Sequence, residues 1–313
     1  LVTSVNDPPG ATANSFTTTE DTPILINVLG NDSDPEGDTL TVTHINGALI
    51  SAGGPGIAVT GGIVTLAANG TLTFTPNADF NGAPSFTYTI ADGNGGTATA
   101  SVTGTVDAVN DPPVANDDAY ATTEDTPITV FPLGNDTDID GGTLIISEIF
   151  ANGADSSGTL TLPSGSTVTI NANGSLTYTP GSNVTGAETI EYQVEDGAGG
   201  QDTGQITFTV TGVNDPPLAV DDTATTSENA NLSVSSGSGL LANDRDLDGN
   251  ALVVSQVAGA PGNIGLPIAG SGGGTFVVNA NGSWTFQPGS AFDGLRPGES
   301  ASTSIPYQIS DGN

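Results

Sequence analysis

Asn31-Asp32-Ser33-Asp34-Pro35-Glu36-Gly37-Asp38 is the stretch from which the rest of the chain is read. It returns as Asn135-Asp136-Thr137-Asp138-Ile139-Asp140-Gly141-Gly142 and again as Asn243-Asp244-Arg245-Asp246-Leu247-Asp248-Gly249-Asn250. The common pattern is Asn-Asp-x-Asp-x-acid-Gly. Carboxylates on alternate residues repel one another, by about 1 kcal/mol per close pair in water and several times that near a protein surface. A cation among them removes that cost. Hard cations such as Ca2+ take six to eight oxygens, and a glycine lets the backbone turn sharply around the ion. The spacing therefore predicts three calcium loops.

Composition narrows the function. The chain carries 35 acids against two bases, Arg245 and Arg296, for a net charge of −33. With so few bases, phosphates could not be neutralised, so nucleic-acid binding is excluded by the usual route. Anionic membrane surfaces are disfavoured for the same reason. There is no cysteine, so no disulfide staples the fold. No run of 18 apolar residues is present that would predict a membrane span, and no signal peptide is visible at Leu1. The chain reads as a fragment that starts inside a linker.

The acidic loop is one landmark of a longer repeat. Val5-Asn6-Asp7-Pro8-Pro9 recurs at Val109–Pro113 and Val213–Pro217 with constant spacing. Each copy then gives a glutamate (Glu20, Glu124, Glu228), the acidic loop, an Asn-Gly pair (Asn69, Asn173, Asn281), and a Tyr-to-Gly segment holding Asp92, Asp196 or Asp311. The expected domains are 1–108 with an entry linker at 1–10, 109–212, and 213–313. The third lacks a counterpart of the closing strands at 97–106 and 202–210, and the natural chain is expected to continue.

Period-2 runs predict strands. Leu72 and Phe74 alternate with threonines, and Phe86-Thr87-Tyr88-Thr89-Ile90 does the same. Residues 24–28 and 40–45 are two further runs. Asn-Gly pairs predict turns in which both residues take positive φ. No segment has a helical period. The fold expected is all-β: tandem immunoglobulin/cadherin-like Greek-key β-sandwiches arranged end to end. The paired prolines of the linkers favour an extended, stiff path.

Alternating loops in such a sandwich place the acids. The acidic loop and the Asp92 turn share the end where the chain enters, and Glu20 lies at the end where it leaves. The first junction then gathers Glu20, the linker residues Asp107, Asn110 and Asp111, and Asp136, Asp138, Asp140 and Asp196. The second gathers Glu124, Asn214, Asp215, Asp244, Asp246, Asp248 and Asp311. Asn6 and Asp7 with Asp32, Asp34, Glu36, Asp38 and Asp92 serve the entrance to the first repeat. Glu228 faces a fourth repeat outside this sequence.

These residues resemble a known family. Asp92 in Ala91-x-Gly93, followed by Asp107-x-x-Asn110-Asp111-x-Pro113, is similar to the end of a cadherin repeat. The blocks Thr-Glu-Asp-Thr-Pro, Leu-Gly-Asn-Asp and Val-Asn-Asp-Pro-Pro resemble the tandem cadherin-like, or VCBS-type, repeats of giant bacterial RTX adhesins, over nearly the whole chain. The resemblance implies a calcium-stiffened extender, exported by type I secretion, displayed outside the cell and supporting cell adhesion and biofilm formation. Asp107 departs from the pattern at the other linkers, where Thr3 and Thr211 align with it, so the second junction is expected to bind fewer ions or to bind them more weakly. The RTX nonapeptide repeat is absent from this sequence.

Other readings compete. An EF-hand needs an acid at the twelfth loop position between helices; that place holds Thr43, Ser147 and Ser255. His44 is the sole histidine, sits on a predicted strand and has no repeat equivalent, and no serine lies in a nucleophile elbow. Paired carboxylates suit glycoside hydrolysis, but an active site does not recur three times at module ends. No enzyme is expected. Trp284 replaces Leu72 and Leu176 in the hairpin register, which predicts core packing, with sugar stacking as the alternative. A ligand-binding adhesive module is the rival function, taking a surface polysaccharide or another cell's adhesin through the insertions at 47–62 and 258–274. The partners otherwise expected are neighbouring repeats of the same chain, with the chain a monomer and no membrane insertion.

Overall fold

The computed structural model describes residues 5–313; Thr3 lies outside them. The described chain is all-β. In the first repeat the strands are β1 (Asn14–Thr19), β2 (Ile24–Ile26), β3 (Thr41–Ile45), β4 (Ala48–Leu49), β5 (Ile57–Val59), β6 (Gly62–Leu66), β7 (Leu72–Pro76), β8 (Ser85–Ala91) and β9 (Thr97–Asp107). They form two sheets, β1-β9-β8-β3-β4 and β2-β7-β6-β5. The first strand runs parallel to the last, with Phe16 opposite Gly104. All other pairings are antiparallel.

The core follows the alternation. Leu72 and Phe74 from one sheet and Tyr88, Ile90 and Val102 from the other are fully buried, while the threonines between them reach solvent or the rim. Each such side chain contributes about 1.5–3 kcal/mol when taken out of water.

The second repeat repeats the plan with β10 (Asp118–Thr123), β11 (Ile128–Val130), β12 (Ile145–Ala151), β13 (Ala154–Ser156), β14 (Thr159–Thr161), β15 (Thr167–Ile170), β16 (Leu176–Thr179), β17 (Gly186–Glu195) and β18 (Gln201–Thr211). Its sheets are β10-β18-β17-β12-β13 and β11-β16-β15-β14.

The third holds β19 (Leu232–Val234), β20 (Val253–Val257), β21 (Pro267–Ala269), β22 (Thr275–Val278), β23 (Trp284–Gln287) and β24 (Tyr307–Ser310). Its sheets are β19-β23-β22-β21 and the pair β20-β24. Residues 219–231 form no strand, which the sequence pattern alone did not indicate. The reason is pairing. β1 and β10 are edge strands whose one neighbour is the closing strand β9 or β18, and among the described residues 219–231 meet no such neighbour.

Two local expectations change. The strand expected over 24–28 ends at Ile26, and Val28–Asn31 form a 3-10 turn with Val28 buried. At Asn69, Asn173 and Asn281 only the following glycine takes positive φ, between +78° and +82°. The asparagine instead accepts a bond from the amide two residues on, as Asn69 does from Thr71 at 3.1 Å. That side-chain closure makes a second positive φ unnecessary. The pairs with both residues positive are Asn46-Gly47 and Asn152-Gly153, the tight turns after β3 and β12.

Contacts divide the chain into two compact units. One comprises residues 1–115, 135–145 and 193–203; the other comprises 116–134, 146–192 and 204–313. The first unit therefore includes the acidic loop and the Asp196 turn of the second repeat. All the residues expected at the first junction fall within it.

Candidate metal centres at the ends of the repeats

At the first junction the turn between β1 and β2 carries Glu20, which is 3% exposed. Its amide donates to the carbonyl of Asp107 at 3.0 Å. Its Oε1 accepts the amide of Val109, while Oε2 is buried with no hydrogen-bond partner. The linker then delivers Asp111, whose amide donates to Asp140 at 2.7 Å. Oxygens of Glu20, Asp111 and Asp140 lie within 4.8 Å of one another.

Asp138 sits in the same loop. Its Oδ1 caps the amides of Asp140 and Gly141 at 2.8 and 3.0 Å, and its Oδ2 is buried and unpartnered. Gly141 takes φ +76°, as Gly37 and Gly249 take +80° and +77°. A Cβ there would meet nothing, so the glycine answers a backbone need, the reversal that brings the second and third acids of the loop together.

Asp196, in the turn between β17 and β18, has a fixing role. It accepts the amides of Ala198, Gly199 and Gly200 at 2.7–3.1 Å and the Asn110 side-chain amide at 2.6 Å. The Asn110 bond, joined by the three amides and opposed by burial, holds its carboxyl below the usual range. Asp111 goes the other way. Burial, then the charges of Asp79, Asp140, Asp21 and Glu20, push it up. Such a site favours a proton or a cation.

The second junction repeats this geometry inside the other compact unit. Glu124 is 4% exposed; its amide donates to the Thr211 carbonyl at 3.0 Å and its Oε1 accepts the Val213 amide. Asp215 donates through its amide to Asp248 at 2.7 Å. Asn214 donates to Asp311 at 2.6 Å. Glu124, Asp215 and Asp248 form the corresponding three-carboxylate group. Oδ2 of Asp215 and Oδ2 of Asp246 are buried and unpartnered. Burial, then Asp248, Glu124, Asp125 and Asp246, push Asp215 up.

The entrance to the first repeat holds half of such a site. Asn6 donates to Asp92 at 2.8 Å, and the Asp7 amide donates to Glu36 at 3.2 Å. Asn94 bridges to Asp38 at 2.7 Å. Asp34 Oδ1 accepts the amides of Glu36 and Asp38, leaving Oδ2 buried without a partner. Glu228 is half-buried, with Asn229 on Oε1 at 3.3 Å and Oε2 unpartnered.

Some expected residues take other duties. Asp32 accepts the Tyr88 hydroxyl at 2.9–3.0 Å and the Thr12 amide at 2.7 Å; Asp244 accepts the Val220 amide at 2.7 Å. The first acid of the loop thus ties the loop to the incoming chain. Asp136 keeps its place in the loop, with Thr137 pairing to Val114. Asp107 has an exposed side chain, and its carbonyl serves Glu20 as that of Thr211 serves Glu124. The residue difference there leaves the backbone link unchanged.

Asp21 and Asp79 were not singled out by the sequence, yet their carboxylates group with Asp111 within 4.8 Å. Both have φ +55°. Their counterparts are Asp125 and Asn183, at +57° and +56°, so backbone conformation restricts the residue type and only the first junction carries both acids. Asp79 gave no signal because its acid does not recur; Asp21 lay in plain view beside Glu20 in a recurring block.

Residues 6–105 match the bacterial Ig domain family, and residues 110–212 and 214–313 match the bacterial cadherin-like domain family. The chain belongs to the bacterial cadherin-like domain family. No curated protein matches the sequence. Solved structures similar to it include extracellular cadherin domains 1–4 of protocadherin gamma B7, at 11% identity over 90% of this chain and 68% of that one, TM-score 0.44. The human Desmocollin-1 ectodomain follows at 13% identity, 98% and 56% coverage and TM-score 0.35. An endo-fucoidan hydrolase of glycoside hydrolase family 107 is 16% identical, with 98% and 43% coverage and TM-score 0.28. The chain spans less than half of that hydrolase, and at these scores the three likenesses carry no argument. As tandem bacterial Ig and cadherin-like domains, the repeats are modules of a structural or adhesive kind. No helix among the described residues is long and apolar enough to cross a membrane.

The residues fit a hard divalent cation. Among the described residues, eight buried side-chain oxygens have no hydrogen-bond partner: those of Glu20, Asp34, Asp111, Asp138, Asp215, Glu228, Asp244 and Asp246. All are carboxylate oxygens at or beside the repeat ends. A buried, uncompensated carboxylate is costly, and an all-oxygen set is the donor chemistry that Ca2+ prefers.

Proposed function

We propose that this chain is a segment of a calcium-stiffened extender of a bacterial cell-surface adhesin, lying outside the cell and supporting adhesion and biofilm formation. The observation that carries the reading is the set of buried, unpartnered carboxylate oxygens around Glu20, Asp111 and Asp138 and, again, around Asp215 and Asp246. Each group joins a glutamate of one repeat, an aspartate of the proline-rich linker and a loop acid of the next. A cation held there would neutralise their repulsion and fix the linker against both neighbours. Neighbouring repeats are then the chain's chief partners, and the monomer is its working form.

Extracellular modules bind calcium at about 10⁻⁴–10⁻³ M. Cytosolic calcium lies far below that, so the chain would stay loose until secreted, by a type I route of the RTX kind, and would set outside. An ion that binds the folded state alone adds RT ln(1 + [L]/Kd), about 2.7 kcal/mol per site at a hundredfold excess.

Small-angle scattering on the whole chain tests the reading. In millimolar calcium the maximum dimension should grow and the bending between repeats should fall, relative to the same sample in chelator. Identical profiles in the two conditions would end the proposal.

A further inference from the structure

Each linker is held from both sides, and the two holds meet at adjacent residues. At the first linker β9 ends at Asp107, whose carbonyl accepts the Glu20 amide at 3.0 Å, and the Glu20 carboxylate accepts the amide of Val109. The first repeat thus grips the chain as far as Val109. From Asn110 onward the second repeat holds it. The Asn110 side chain donates to Asp196 at 2.6 Å, and the Asp111 amide donates to Asp140 at 2.7 Å. Val114 and Thr137 exchange backbone bonds at 2.7 and 3.1 Å. The Tyr192 hydroxyl donates to the Asn116 carbonyl at 2.9 Å. Between these points Pro113 is buried, and Pro112 runs against Gly200.

The second linker is divided in the same way. Glu124 holds the Thr211 carbonyl and the Val213 amide. Asn214 goes to Asp311, and the Asp215 amide goes to Asp248. Leu218 and Arg245 exchange backbone bonds at 2.8 and 3.1 Å, and the Tyr307 hydroxyl donates to the Val220 carbonyl at 3.2 Å.

Between the two holds stand the backbone torsions of one residue pair, Val109-Asn110 or Val213-Asn214. All four residues are exposed, so tight packing does not restrain them. The prolines lie on one side of this break. They fix φ and restrict the aspartate that precedes them, so they stiffen the stretch that is docked on the following repeat. They do not stiffen the step between repeats. Glu20 and Asp111 stand on opposite sides of the break, and their carboxylate oxygens lie within 4.8 Å of each other. Their repulsion acts across it.

We propose that each joint pivots at a single point, Val109-Asn110 in the first and Val213-Asn214 in the second, and that the proline segment moves as part of the repeat that follows it. The inference stands on hydrogen bonds and is independent of the calcium reading. A cation between Glu20 and Asp111 would bridge the pivot, but the position of the pivot is set without one.

Amide exchange, followed by NMR on the whole chain in chelator, tests the division. Ile90 and Ile190 are buried in the first and second repeats. Ile90→Val should speed exchange at Val109 about two- to tenfold and leave Asp111 and Val114 as in the parent. Ile190→Val should speed Asp111 and Val114 by a similar factor and leave Val109 unchanged. Two variants of the holds themselves make a second arm. Glu20→Ala should speed exchange at Val109 at least about tenfold without moving Asp111, and Asp140→Ala should do the opposite, since each removes a charged acceptor. The proposal is overturned if Val109 and Asp111 follow the same core variant, if either follows neither, or if Glu20→Ala leaves Val109 unaffected. Scattering profiles that are identical in calcium and chelator would end the calcium reading and leave the outcome of this experiment unchanged.

Discussion

The backbone amide of Asp111 donates to the carboxylate of Asp140 at 2.7 Å, and the amide of Asp215 donates to Asp248 at the same distance. In both cases a linker residue brings its own carboxylate against a loop carboxylate while its peptide group holds the two in place. Only a hydrogen bond to the backbone, beside a cation, makes such a contact favourable in itself.

Glu20→Gln should therefore have opposite effects in the two conditions. The glutamine keeps an acceptor for the Val109 amide and removes a buried charge. In chelator the variant should melt at or above the temperature of the parent. In millimolar calcium it should melt lower and bind calcium at the first junction at least about tenfold more weakly, about 1.4 kcal/mol. Calorimetry in both buffers checks the crossing. The same sign in both would mean that Glu20 holds no ion.

The two junctions should differ through Asp79, not Asp107. Asp79→Asn should lower calcium affinity at the first junction roughly three- to tenfold, and Asn183→Asp should raise it at the second by a comparable factor, each being one charge close to an ion in partly screened surroundings. Asp107→Thr should change little, because Thr211 already makes the same carbonyl contact. Calcium titrations of the three variants by isothermal calorimetry decide between the two positions.

Gly200 packs against both fixing groups of the first junction. A Cβ there would lie 2.2 Å from Asp196 Oδ2 and 2.8 Å from the Cα of Pro112. The second contact is backbone and cannot swing aside. Gly200→Ala should cost about 1–3 kcal/mol in chemical denaturation and weaken the Asn110–Asp196 link, visible as a changed Asn110 side-chain amide resonance.

Phe16 lies opposite Gly104, where a Cβ would come within 2.2 Å of its ring, whereas the second repeat sets Tyr120 opposite Phe208; that pairing predicts a rescue. Gly104→Phe alone should unfold the first repeat at moderate temperature, because Phe16 already fills the site. Phe16→Ala alone should cost about 3–5 kcal/mol. The double variant should recover a large part of that loss, a coupling of contacting residues that a double-mutant cycle measures.

Alkali should act on the second repeat through Tyr178. Burial, then the hydrogen bond to Glu188, raise its pKa from 10.0 to about 12. A folded pKa above the unfolded value means that neutral tyrosine is favoured in the folded state. The contribution is complete below pH 10 and is lost as pH rises from there through about 12. Unfolding followed from pH 8 to 12 should show this fall in the parent chain, and Tyr178→Phe should flatten it.

Much of this was legible in the residues themselves. Threonine alternating with Leu72, Phe74, Tyr88 and Ile90 leaves only a strand with one face inward, since period two matches no other regular structure. The acid spacing and its glycine marked the loop whose carboxylates the structure gathers with those of the linker, and the cation between them is the reading proposed above. What the chain could not declare was division of labour among equal-looking acids. Asp32 binds Tyr88 and Thr12, Asp140 meets Asp111, and Asp79 arrives from a turn remote in sequence. Nor could it show that residues 219–231 go without a strand. Those outcomes depend on which segments fold against each other across the two sheets, and distance along a chain holds no record of that.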